Sequence, residues 1–288
     1  MDQNWARRTI LKTMVGAGAA LTTHKVWAQA ASGQGTLAKL QAAKAVRVGI
    51  ANQPPFSALN PDGTLTGLAP TLAIAIMTKL GVPKMEASLG TYGELIPGMQ
   101  AGRWDFVAAS LTVNKQRCEQ VRFSDPIAFD GSTIVALKGK LPKLPKLLAD
   151  IVSQKLTVGA QAGGSNSRAA LAAGVEQANL RQFPDDNAVI DGLVAGRIQV
   201  AFGANSSLKR AYTSRNMEFD VVFPVEDSPP PGSACAFRME DADLHTAFQT
   251  ELRAMKQSGQ YLEIARKFGF DTPPELMKLT DEEMCKRA

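Results

Sequence analysis

Arg117 stands five residues after Thr112 and seven after Ser110, in the run Ser110-Leu111-Thr112-Val113-Asn114-Lys115-Gln116-Arg117. A guanidinium is a planar fork that grips a carboxylate through two parallel N–H···O bonds, a geometry lysine cannot reproduce. Holding an acid is the chemistry this residue offers; an ordinary surface arginine is the alternative. The other reactive residue types lead elsewhere. His245, in Asp241-Ala242-Asp243-Leu244-His245, reads as the solvent-facing start of a helix and fits no triad or metal set. Cys118, Cys235 and Cys285 lack metal-ligand spacing. Two of them can pair in an oxidising compartment, but the spacing does not say which two, and free, partly buried thiols are the expectation. Gly16-Ala17-Gly18 has neither a preceding strand nor a third glycine, so it is no dinucleotide loop.

The elements that must position Arg117 alternate between strand and helix. Val46–Ile50 alternates as a strand and stops at Asn52-Gln53-Pro54-Pro55-Phe56, where two prolines end regular structure. Leu72, Ile76 and Leu80 mark the buried stripe of a helix over 70–80. A strand over 85–89, a short helix over 92–101 and a strand over 105–109 follow. Then come a loop over 110–114, a helix start at 115–118, and a β-prone run over 132–138. Leu141-Pro142-Lys143-Leu144-Pro145-Lys146 is the expected boundary. Beyond it a second unit runs strand (155–159), loop (163–166), helix (167–173) and strand (180–183). Asp186 is its candidate cap for a helix through Gly196, followed by strands over 198–202 and 219–225 around a helix over 206–212. A strand over 234–238 and two helices (244–258 and 261–268) close the chain. This pattern predicts an α/β protein with two parallel-sheet units. The expected organisation is lobe 1 over 37–138, lobe 2 over 139–227, and a return to lobe 1 over 228–288.

The most informative stretch is Gly93-Glu94-Leu95-Ile96-Pro97-Gly98-Met99-Gln100-Ala101-Gly102-Arg103-Trp104-Asp105, then Ser110 to Arg117, then Phe123-Ser124-Asp125-Pro126. Here the chain resembles the type II periplasmic solute-binding proteins of bacterial family 3, over about Val46 to Phe268. The resemblance implies a two-lobed fold of mostly parallel sheets joined by two hinge strands, with a ligand cleft between the lobes. It implies that Arg117 receives a ligand carboxylate together with Ser110 and Thr112, and that Phe56 and Tyr92 are aromatic walls. Core packing is the alternative for both rings. Gly164 falls where many relatives place a threonine, and is otherwise a plain turn glycine. Amino-acid receptors carry an aspartate for the ligand ammonium where this chain has Ala204. Asn205 or Gln53 is then the expected substitute. The wording of 93–103 and 117–121 is most similar to ectoine and hydroxyectoine receptors, although those have a glutamate at position 53 and an aromatic at 112.

The first thirty residues read as a leader. Arg7-Arg8-Thr9-Ile10-Leu11-Lys12 approximates a twin-arginine signal, a short apolar run follows, and Ala28-Gln29-Ala30 is a small-x-small cleavage site. That segment carries a net +3, which leaves +2 of the chain's +5 on the mature protein. Charge this small implies neither a nucleic-acid nor an anionic membrane partner. The expectations are therefore a periplasmic monomer without cofactor or metal, binding a small zwitterion and docking on an ABC permease of the inner membrane. Two alternatives share the fold: a cyclohexadienyl dehydratase-like enzyme and a ligand-sensing module. Against the enzyme, no acidic residue stands out among the cleft candidates Gln53, Thr112 and Ala204.

Overall fold

Residues that alternate sides along a strand need cover on both faces, and the first half of the chain supplies it. The computed structural model describes residues 35–228, 232–271 and 277–287; the expected leader lies outside them. Helix α1 (Thr36–Ala43) leads into β1 (Ala45–Ile50), and a small hairpin of β2 (Ala58–Leu59) and β3 (Leu65–Thr66) precedes α2 (Leu68–Lys79). Next come β4 (Lys84–Leu89), α3 (Leu95–Gln100) and β5 (Phe106–Thr112). β1 lies between β4 and β5 and runs parallel to both. Val46, Val48 and Ile50 pack with Leu72 and Ile76 of α2, while Val107, Ala109 and Leu111 of β5 face the opposite core with Met99 and Trp104.

The chain then passes through α4 (Lys115–Cys118), β6 (Arg122–Phe123) and β7 (Ala128–Phe129) before entering a second sheet. That sheet is built from β8 (Ser132–Leu137), α5 (Leu148–Ser153), β9 (Val158–Gln161), α6 (Ser165–Ala172) and β10 (Leu180–Phe183). It is completed by α7 (Asp186–Val194), β11 (Val200–Ala204), α8 (Asn205–Thr213) and β12 (Phe219–Val222). The chain returns through β13 (Gly232–Phe237), then α9 (Ala242–Ser258), α10 (Gln260–Lys267) and a last helix, α11 (Asp281–Arg287). The strand orders are β4-β1-β5-β13-β6, with β7 also on β13, and β10-β9-β11-β8-β12.

Several expectations change. Each sheet is mixed, not mostly parallel: β13 runs antiparallel to β5, and β8 antiparallel to β11 and β12. These two strands follow the crossings between the sheets, so they enter from the opposite direction. Ser132–Leu137, expected to finish the first lobe, belongs to the second sheet. Hydrophobic run length identifies a strand, but its partners β11 and β12 come more than sixty residues later. The Pro/Lys-rich loop is accordingly no boundary, since Leu141 and Leu144 pack against the second sheet's core. Asp185, not Asp186, caps α7 by accepting the Ala188 N–H at 2.9 Å. His245 is not solvent-facing: its ring meets Phe237 edge-on and its Nε2 lies 2.7 Å from the Phe123 carbonyl oxygen. Cys118 and Cys285 form a disulfide, and only Cys235 is a free, buried thiol among the described residues. Their Cα atoms lie 5.9 Å apart although 167 residues separate them in sequence, a closeness that sequence spacing cannot show.

Candidate functional site

A pocket of about 490 Å³, its open mouth included, lies between the two sheets. Phe56, Tyr92, Ser110 and Thr112 line it from the first sheet, Gly164, Ser165, Asn166 and Ala204 from the second. Asp130, Ser132 and Ser233 line it where the chain crosses, and Gln53 completes the wall. The lobes already meet around it. Asn52 donates to Asp185 at 3.2 Å, Gln53 Nε2 to Asp186 at 3.0 Å, and Arg117 Nη2 to the Gly163 carbonyl at 3.3 Å.

The end of the pocket around Ser110 and Thr112 is built by local irregularity. β5 pairs Val107 with Ala236 and Leu111 with Ala234, so it carries two more residues than its partner between these pairs. Bulges of this kind re-aim a side chain. Ser110 sits in that bulge with a left-handed backbone, φ 49°, and its buried hydroxyl has no partner among the described residues. Asn114 caps the short α4 by accepting the Arg117 N–H at 2.9 Å, which fixes where the arginine leaves the backbone. The guanidinium is buried; Nη1 donates to the Thr112 carbonyl at 2.9 Å. Burial, then the neighbouring Arg168, pushes it down to about 9. Arg168 also donates to the Gly163 carbonyl, at 2.8 Å, and its buried Nη2 has no partner among the described residues. Neither guanidinium pairs with a carboxylate among the described residues. Two guanidiniums without a carboxylate partner among the described residues, both donating to the Gly163 carbonyl, can seat an anion. Gly164 is the N-cap of α6, so the first N–H groups of that helix begin at the same wall.

At the other end, Tyr92 is buried and donates to Gln53 Oε1 at 2.7 Å, with the Ala109 carbonyl oxygen at 2.9 Å. Burial raises its phenol, and Asp186 adds to the effect. Asp186 is fully buried beneath the wall and accepts from the Ser207 hydroxyl at 2.5 Å as well as from Gln53. Burial raises its carboxyl; Ser207 and Gln53 oppose the shift. Phe56 presents an edge of the first core, its ring 5.0 Å from that of Phe270.

Six of the eight expected residues therefore line one pocket: Gln53, Phe56, Tyr92, Ser110, Thr112 and Gly164. Arg117 stands immediately behind Thr112. Asn205 is not in the wall; its N–H donates to the Gly131 carbonyl at 2.8 Å and it lines a separate hollow with Pro55. Gln53 is an unsuitable stand-in for an acid, because both ends of its amide are engaged. Asp130 adds a carboxylate to the uncharged cleft candidates Gln53, Thr112 and Ala204, one that the sequence did not single out. A single aspartate before a glycine reads as a turn signal, and only the strand register moves it to the pocket. No group of three or more metal-ligating side chains occurs among the described residues.

The model of the bacterial extracellular solute-binding proteins, family 3, matches residues 46–271. The chain belongs to that family. Its fold is the type II periplasmic-binding-protein fold. It is similar to EhuB, whose crystal structure contains hydroxyectoine: TM-score 0.83 at 35% identity, covering 87% of this chain and 97% of that one. An ancestral amino acid-binding protein, described as a precursor of cyclohexadienyl dehydratase, superposes with TM-score 0.71 at 27% identity over 82% of this chain and 100% of the other. In sequence, a probable amino-acid ABC transporter periplasmic-binding protein of Sinorhizobium fredii is 26% identical over 265 residues, covering 88% of this chain and 87% of that one. The L-arginine-binding protein of Pseudomonas aeruginosa is 29% identical over 245 residues, covering 82% and 92% respectively. These relatives are named as binding proteins, and this solute-binding protein acts outside the cytoplasm with them.

Proposed function

We propose that this family 3 protein captures a small zwitterion, an amino acid or an ectoine-like solute, and delivers it to an ABC permease in the inner membrane. The observation that carries the reading is the buried Arg117 guanidinium, without a carboxylate partner among the described residues, hydrogen-bonded to Thr112 of a pocket wall that also holds Ser110. A ligand carboxylate docks there, helped by Thr112 and the start of α6, while Phe56 and Tyr92 flank the rest of the molecule. The second lobe then closes over it, and the closed form engages the permease. The protein carries its ligand as a periplasmic monomer and does not convert it; for the absence of turnover, the naming of its relatives as binding proteins is the support. Arg7-Arg8 supports export by the twin-arginine route.

A thermal-shift screen of amino acids, ectoines, betaines and opines tests the reading. A ligand present at 100 times its Kd stabilises the fold by roughly 2.7 kcal/mol. Arg117→Ala is expected to weaken the best ligand by about 100-fold or more, because it removes a charge-assisted pair. Unchanged affinity in that variant removes Arg117 from the site.

A further inference from the structure

The acid end of the pocket has its cations, but a zwitterion also needs a partner for its positive group. Asp130 is the only carboxylate that lines the pocket among the described residues. It forms no ion pair there. Its position follows from strand register. Ala204 at the end of β11 pairs with Ser132 of β8, and the Asn205 N–H extends that pairing to the Gly131 carbonyl at 2.8 Å. The next residue back, Asp130, therefore meets Ser206, whose N–H and hydroxyl both donate to Oδ2, at 2.9 and 2.7 Å. The Gly131 amide also faces this carboxylate. A carboxylate offers about four lone-pair sites, so three donors leave capacity for a guest. Burial, with a smaller contribution from Asp186, raises the Asp130 carboxyl against those donors, the state of an anion short of a counter-charge.

We infer that Asp130 is the specificity-determining residue for the ligand's cationic group, and that the preferred ligand is a compact zwitterion whose cation carries N–H bonds. This rests on the zwitterion reading above. The acid sits on the crossing segment, one strand away from Ala204, and both residues line the same pocket. A cation there is held by charge and by N–H···O bonds, in a pocket that Phe56 and Tyr92 also line.

The test is isothermal titration of the mature protein with hydroxyectoine, L-arginine, L-lysine and L-histidine. At least one is expected to bind, and Asp130→Asn is expected to weaken it roughly 30-fold or more. Adding Ala204→Asp to that variant restores at least about tenfold, because a carboxylate returns on the neighbouring strand. Should Asp130→Asn fail to fold by circular dichroism, Ser206→Ala takes its place: loss of the hydroxyl that holds the carboxylate weakens binding by roughly fivefold. If none of the four binds, the Asp130→Asn comparison is made with the best ligand of the thermal-shift screen. If that whole screen also yields no ligand, the zwitterion reading fails and takes this inference with it. If one binds and Asp130→Asn, or the substitute Ser206→Ala, leaves Kd within about twofold, only this inference falls.

Discussion

Asp186 shows how a residue outside the pocket wall sets the state of those within it. It accepts from Gln53, which in turn accepts from Tyr92, so one buried carboxyl orders two wall residues. Burial holds that carboxyl above its ordinary value of 3.8. Between 3.8 and the raised value the folded protein binds a proton that the unfolded chain has lost, so this group's contribution to stability falls as pH rises through that window. Asp186→Asn keeps an acceptor but removes the charge. The variant is expected to melt about 2 °C above the parent at pH 7.5, with the gap closing as pH falls toward the carboxylate range; calorimetry across pH checks this. At this scale the family resemblance, not spacing alone, singled out Arg117, Ser110 and Thr112; the last two line the pocket and Arg117 stands behind Thr112. Asp130 and Asp186 were not legible in the sequence, since their partners Ser206, Ser207 and Gln53 lie on other elements.

Helix α4 is only four residues long and has little stability of its own, yet it carries Arg117. Its support comes from the far end of the chain. The Cys118–Cys285 bridge fastens α11 to it, and Asp125 accepts from Arg253 of α9 at 2.8 Å and from the Asp281 N–H of α11 at 3.1 Å. The Phe123-Ser124-Asp125-Pro126 motif thus serves the scaffold around the site. Replacing both bridge cysteines with serine is expected to cost roughly 2–4 kcal/mol in denaturant unfolding. Ligand affinity should fall with it, as α4 loosens; reductant applied to the parent protein should reproduce both effects. The stripe of Leu72 and Ile76 made α2 readable, since helical period is local. The bridge and the sheet membership of β8 were hidden because each joins segments distant in sequence.

At one point of the seam between the lobes, glycine meets glycine. Gly163 has φ 65°, and a Cβ placed on it would come within 2.7 Å of the Gly93 Cα in the opposite lobe. Gly163→Ala is therefore expected to leave both sheets folded, weaken ligand binding by about tenfold or more, and hold the lobes apart. Small-angle scattering with saturating ligand reads this as a larger radius of gyration than the parent shows. The α/β class and its two units were visible in the alternation of elements, whereas the seam depends on how the lobes meet. The crossings between the sheets carry one more meaning. Phe129 and Gly232 are ladder partners in the first sheet, and everything in the second sheet lies between them in sequence. Where the chain re-emerges, Val225 still donates to the Ser132 carbonyl at 3.1 Å. The second sheet is thus a cassette, plugged into the first through two neighbouring backbone sockets. The proposed ligand contacts divide along that line, Arg117, Ser110 and Thr112 in the first half and Gly164 and Ala204 in the second, with Asp130 at the join, so each half can be exchanged separately.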